Sequence, residues 1–199
     1  MFGSDSAIKN DYVDVEIFSD VNVDLRYATL NNFTGEKLYG DLKVAYLHRD
    51  AAIKLKAAAL ALAQSTSDFR LLVLDALRPV WAQQRLWNFV KDTPAQIYVA
   101  DPDKGSIHNF GLAVDLTIAD SSGHELDMGT PFDSFKELAQ PRHEDRFLRS
   151  GELNSHQISN RLLLRNIMTS AGFLTIPHEW WHFNATTLAD AKARYRLIE

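Results

Sequence analysis

Apolar and polar positions alternate in short runs near the start of the chain, and the period changes further on. Tyr12-Val13-Asp14-Val15-Glu16-Ile17-Phe18 alternates as a half-buried strand does, and Val21-Asn22-Val23-Asp24-Leu25-Arg26-Tyr27 does so again. Asn31-Asn32-Phe33-Thr34-Gly35 is turn chemistry, because Asn and Gly tolerate positive φ. Asp50 is a helix N-cap type, and the spacing predicts a helix to about Gln64 with Ile53, Ala57, Leu60 and Ala61 as its apolar stripe. Phe69 to Leu77 is a dense apolar run containing one acid, Asp75, and reads as a central buried strand closed by Arg78-Pro79. Pro79 suits the first turn of a helix to about Val90. Leu112 to Ile118 predicts another strand. Asn154 with Gln157 marks a helix start, and the helix it opens, through Ala171, is expected to bury Ile158, Leu162, Ile167 and Met168 before Gly172 ends it. Residues 91–105 read as loop, 124–156 as irregular with short helical pieces, 173–183 as largely extended and 187–197 as a last helix. Residues 1–10 read as loose. These elements predict one α+β domain over 1–199, with a mainly antiparallel central sheet flanked by helices and a metal site at the sheet.

Composition narrows the possible chemistry. The 199 residues can bury a sizeable core. A net charge of -5 with no basic patch argues against nucleic acid as a partner. There is no cysteine, so a metal has to be held by His, Asp or Glu. The N-terminus lacks the pattern of a signal peptide, and no stretch is apolar for long enough to span a bilayer. The expectation is a cytoplasmic protein without a membrane partner. The patterning carries no information on oligomeric state.

Two distant stretches hold the candidate chemistry, Ser106-Ile107-His108-Asn109-Phe110-Gly111-Leu112-Ala113-Val114-Asp115 and Glu179-Trp180-Trp181-His182. His108 and Asp115 are seven apart, so one straight strand would set them on opposite faces. A bend at Asn109-Phe110-Gly111 lets His108 come from a loop and Asp115 from the strand. On that strand Val114, Leu116 and Ile118 share a core face, while Ala113, Asp115 and Thr117 share the other. An inward carboxylate needs a partner, and a metal is one. Glu179 and His182 are three apart, so a bulge or a helical turn has to bring them together. His178 competes with His182 as a ligand. Trp180 and Trp181 read either as core packing or as a dry wall beside the site.

Ser-x-His-x-x-Gly-x-Ala-x-Asp followed far downstream by Glu-Trp-Trp-His resembles the D-alanyl-D-alanine dipeptidases of the vancomycin-resistance type, within the wider zinc D,D-peptidases. The resemblance extends through Arg26-Tyr27-Ala28-Thr29, Asn32-Phe33-Thr34-Gly35, Arg78-Pro79, Leu126-Asp127-Met128-Gly129 and Phe132-Asp133. It implies one zinc ion on His108, Asp115 and His182, and a small dipeptide as substrate. It implies that Glu179 is the general base acting on a zinc-activated water, and that Arg78 stabilises the transition state. It implies that Asp133 receives the substrate ammonium, with Tyr27 and Ser106 near the same pocket and Tyr39 as a further candidate for its wall. Asn109-Phe110 departs from the Ser-Arg common in the family, which bears on the pocket wall or substrate preference. A related zinc D,D-carboxypeptidase or wall-peptide endopeptidase is the alternative, and a non-catalytic zinc-binding module is a third reading. Other readings of single residues are an Arg78 paired with Asp75, an Asp133 that caps a helix and a half-buried strand Tyr27.

Overall fold

The fold is described from a computed structural model covering residues 11–199; the expectation that residues 1–10 are loose falls outside the described residues. Seven strands form, β1 (Tyr12–Asp14), β2 (Val21–Val23), β3 (Tyr46–His48), β4 (Phe69–Asp75), β5 (Ala113–Asp120), β6 (Leu174–Thr175) and β7 (His182–Asn184). Among the described residues five α-helices accompany them, α1 (Arg49–Ser65), α2 (Val80–Val90), α3 (Glu144–Ser150), α4 (Ser155–Ser170) and α5 (Leu188–Arg194). The main sheet runs β2-β4-β5-β7-β6, and β1 pairs with β3 in a separate ribbon. The sheet is mixed: β2 runs parallel to β4, while β4–β5, β5–β7 and β6–β7 are antiparallel. A sheet described only as mainly antiparallel therefore omits the β2–β4 pair. The two alternating runs at the start are shorter as strands than their patterns. Each turns into a 3-10 helix, at Val15–Ile17 and at Arg26–Ala28.

The helices form where predicted, but two bury other faces. On α1, Ile53 is 63% and Leu60 45% exposed, and Ala57 is exposed as well. Ala51, Ala52, Leu55, Ala58, Ala59 and Leu62 are the buried set. In an alanine-rich helix two stripes compete, and packing on β4 and α4 selects the one whose small residues permit close approach. The helix is capped by His48, and Asp50 sits in its first turn. On α4 the capping box of Asn154 and Gln157 forms, yet Leu162 is exposed and the buried residues are Asn160, Arg161, Leu164 and Met168. Arg161 goes inward because its Nε donates to the Met128 carbonyl at 2.7 Å and its guanidinium meets Glu144 at 3.4 Å.

The central strand β5 is buried on both faces. Val114, Leu116 and Ile118 join the main core, and on the opposite face Ala119 packs with Leu72, Leu74 and Phe132. Among the described residues no helix is long and apolar enough to cross a membrane.

Candidate metal centre

Sheet register assembles the site. In the β5–β7 pair Asp115 lies opposite His182, so the two side chains share a face. In the β4–β5 pair Asp75 lies opposite Asp115, after a register shift between Val73 and Asp75. Arg78 follows three residues after Asp75. His108 arrives from a 3-10 helix, Ile107–Phe110, capped by Ser106 and ended by Gly111 at φ 64°. This left-handed residue makes the bend that the spacing of His108 and Asp115 requires. Backbone bonds pin the turn: the Arg78 N–H donates to the His108 carbonyl at 3.1 Å, and the His48 N–H to the Gly111 carbonyl at 2.8 Å. Between Glu179 and β7 the chain bends, and neither a helical turn nor a strand bulge forms there.

One cavity of about 290 Å³ is lined by all eight predicted site residues, Tyr27, Arg78, Ser106, His108, Asp115, Asp133, Glu179 and His182. Three side chains converge in it. His108 Nε2 lies 3.3 Å from His182 Nδ1 and 3.4 Å from an Asp115 oxygen, and His182 Nδ1 lies 2.9 Å from the other Asp115 oxygen. Ligands about 2.0–2.1 Å from a tetrahedral zinc are about 3.3 Å apart, so this spacing suits the ion. The outer ring nitrogens say the same. His108 Nδ1 meets the Ala76 carbonyl at 2.7 Å, an acceptor only, so that nitrogen carries the proton. His182 Nε2 meets Asn184 Oδ1 at 2.8 Å. With the outer nitrogens protonated in this way, both inner nitrogens face the same point beside the Asp115 carboxylate, an arrangement that could hold a metal ion. Among the described residues this is the one group of three acidic or imidazole side chains with metal-ligand spacing, and His178 is not part of it.

The other groups surround this point. Glu179 Oε2 is 3.8 Å from His182 Nδ1. Burial pushes the Glu179 carboxyl up to about 8, against the pull of His182. Burial also pushes Asp115 up, but His108 and His182 outweigh it and hold that carboxyl well below its usual range. Arg78 is both the Asp75 partner and a wall of the cavity. It donates twice to Asp75 Oδ2, at 2.9 and 2.6 Å, and once to Gln83 Oε1 at 2.9 Å, and it lies 5.1 Å over the Tyr27 ring. Asp75, fully buried, also accepts from the Tyr39 hydroxyl and from the Ala76 N–H. The cavity floor is therefore one bonded network, which fixes the guanidinium. Asp133 is not a helix cap: it stands at φ 59° and both its oxygens accept from the Tyr27 hydroxyl, at 3.0 and 2.9 Å. Burial and then the Asp115 charge push its carboxyl well above the usual range.

Three expectations change. Tyr39 is buried behind Asp75 and does not line the cavity. Asn109 and Phe110 are buried too and lie off the cavity wall. Asn109 Nδ2 donates to the Arg78 carbonyl at 2.8 Å and its Oδ1 accepts from the Ser106 N–H at 2.7 Å, so the departure from Ser-Arg serves the turn rather than the pocket. The tryptophans divide their roles: Trp181 lines the cavity, while Trp180 donates to Thr130 Oγ1 at 2.8 Å and holds the loop that leads to Asp133. Two contributors carry no signal in the sequence, Gln83 and Asn184, whereas the pairing of Arg78 with Asp75 is one of the readings the sequence offers. The acid in an apolar strand, three before an arginine, was the visible signal for Asp75.

The family model described as D-Ala-D-Ala dipeptidase, of the peptidase M15 group, matches residues 9–196. The chain is 40% identical to D-alanyl-D-alanine dipeptidase of Escherichia coli K12 over 174 residues, 87% of this chain and 83% of that protein. It is 31% identical to the protein of that name from Enterococcus faecium over 189 residues, and 30% to that of Streptomyces coelicolor over 191, each covering 84% of this chain and 87% of the relative.

Proposed function

The chain belongs to the D-Ala-D-Ala dipeptidase family of metallopeptidases, and on that premise we propose that it hydrolyses free D-Ala-D-Ala to two D-alanines at a zinc centre held by His108, Asp115 and His182. The observation that carries the reading is the convergence of two imidazole lone pairs and a carboxylate in the cavity that also holds Glu179, Arg78 and Asp133. When bound, zinc supplies Lewis acidity and makes water acidic enough to attack near neutral pH.

The chain's own groups do the rest. Glu179, left over from the ligand set, would be held ionised by the charge of a bound zinc, against the burial that favours its protonated form, and so takes the proton of the attacking water and passes it to the leaving amine. Arg78, locked by Asp75 and Gln83, presents fixed positive charge to the oxygen of the scissile carbonyl, where charge develops. Asp133 and the Tyr27 hydroxyl receive the substrate ammonium. An acid there favours a free N-terminus over an acylated chain, which separates a dipeptidase from a carboxypeptidase. Ser106 Oγ accepts from the His108 N–H and retains a hydroxyl hydrogen for the substrate. Trp181 and Phe135 supply apolar wall, which strengthens each charge interaction inside.

Chelation tests the reading. Protein stripped of metal is expected to release no D-alanine from D-Ala-D-Ala, and zinc is expected to restore release. Undiminished release by the stripped protein would overturn the metal assignment.

A further inference from the structure

We propose that Asn184 is a positioning residue for the metal centre: its side-chain oxygen accepts the His182 Nε2–H, fixes the tautomer of that ring and so aims Nδ1 at the cation. The inference rests on the zinc reading above and adds a residue to it. His182 and Asn184 are two apart on β7, so they share a face, and the Asn184 oxygen stands 2.8 Å from Nε2. Asn184 is 8% exposed and borders the same cavity. Its cross-strand neighbour on β5 is Ala113, whose short side chain leaves the carboxamide room to lean toward the imidazole.

The two histidines use different nitrogens, and their outer partners explain why. His108 is held through Nδ1 by a backbone carbonyl and offers Nε2. His182 is held through Nε2 by a side chain and offers Nδ1. A backbone carbonyl cannot be mutated away, but a side-chain acceptor can. Without an acceptor at Nε2, neutral His182 is free to place its proton on Nδ1. There it would bond to Asp115, 2.9 Å away, and close the site as a hydrogen-bonded pair instead of a ligand set. Asn184 thus opposes a competing state that the site geometry itself makes available.

The test measures zinc affinity by chelator competition in the wild type, Asn184→Leu, Asn184→Asp and His182→Ala. Asn184→Leu fills similar space without an acceptor and is expected to bind zinc about 10–100-fold more weakly. Asn184→Asp keeps the acceptor and is expected to bind at least as tightly as the wild type. Nitrogen-15 spectra of the zinc-loaded wild type are expected to show His182 metal-bound at Nδ1 and protonated at Nε2, a readout that needs no variant. Unchanged affinity in Asn184→Leu would overturn the inference, as would an unprotonated Nε2 in the wild type. An Asn184→Asp variant as weak as the leucine variant would show that Asn184 acts by donating its amide, and would also overturn it. If the wild type binds no zinc, or His182→Ala binds as tightly as the wild type, the metal assignment itself fails, which is a separable result.

Discussion

On the proposed reading, Asp133 would trade stability for binding. Its backbone stands in the left-handed region, and its carboxyl lies in the cavity, where both oxygens accept from the Tyr27 hydroxyl. Burial and the Asp115 charge favour its neutral form while the pocket is empty. Under the proposed function an incoming ammonium would favour the charged form, so binding the dipeptide would draw a proton off Asp133. Dipeptide affinity is therefore expected to fall as pH drops through the raised pKa, seen as a rising KM, and Asp133→Asn is expected to lose that dependence. The same variant is expected to impair free dipeptides more than N-acylated ones and to melt at a higher temperature, because asparagine tolerates positive φ and keeps a Tyr27 hydrogen bond. An equal effect on both substrate types, measured by D-alanine release, would remove Asp133 from ammonium recognition. Glu179→Ala is expected to bind zinc as the wild type does and to lose about 10²–10⁴-fold in turnover. Wild-type turnover in that variant would leave the water proton to another group.

At the scale of elements, the turn that delivers His108 depends on Gly111. A side chain there would meet the Tyr12 ring at 2.6 Å and the His48 backbone nitrogen at 3.0 Å, at a φ of 64°. Gly123 has a similar φ, 83°, but open space around it. Gly123→Ala is expected to cost about 1–2 kcal/mol from backbone strain alone, whereas Gly111→Ala adds a clash with backbone and is expected to cost more and to weaken zinc binding. Denaturant unfolding of both variants measures the difference, and equal losses would refute the packing argument. The need for a bend here was legible in the sequence, since His108 and Asp115 stand at an odd spacing around a glycine. The mode of approach of Glu179 to His182 was not legible, because it depends on bends set by the packing of Trp180 and Trp181. The apolar stripe of α1 was misread for a similar reason. Alanines score weakly in a periodic pattern, and close packing, not hydrophobicity, selects the face that carries Ala51, Leu55, Ala58 and Leu62. The chain order of strands was legible; the parallel pairing of β2 with β4 was not, because periodicity is blind to strand direction.

At the scale of the whole molecule, groups about a hundred residues apart meet in one cavity. Tyr27 bonds Asp133, Asp75 on β4 holds Arg78 beside Asp115 on β5, and β7 brings His182 to the same point. The sheet supplies the rigid register, and the loops at its edge supply the groups proposed to read the substrate. The eight candidate residues, named from paired motifs and a family resemblance, line one cavity. The Asp75 pairing of Arg78 was open to a reading from sequence, but Gln83 and Asn184 emerge only once the chain is folded, because each acts through a contact and not through a motif. The central claim concerns what this arrangement selects. The most direct measurement is D-alanine release from the zinc-loaded protein given free D-Ala-D-Ala, L-Ala-L-Ala or an N-acylated D-Ala-D-Ala peptide. The account predicts cleavage of free D-Ala-D-Ala with the acylated peptide spared. Equal or faster cleavage of the acylated peptide would contradict it and move the protein to the carboxypeptidase reading.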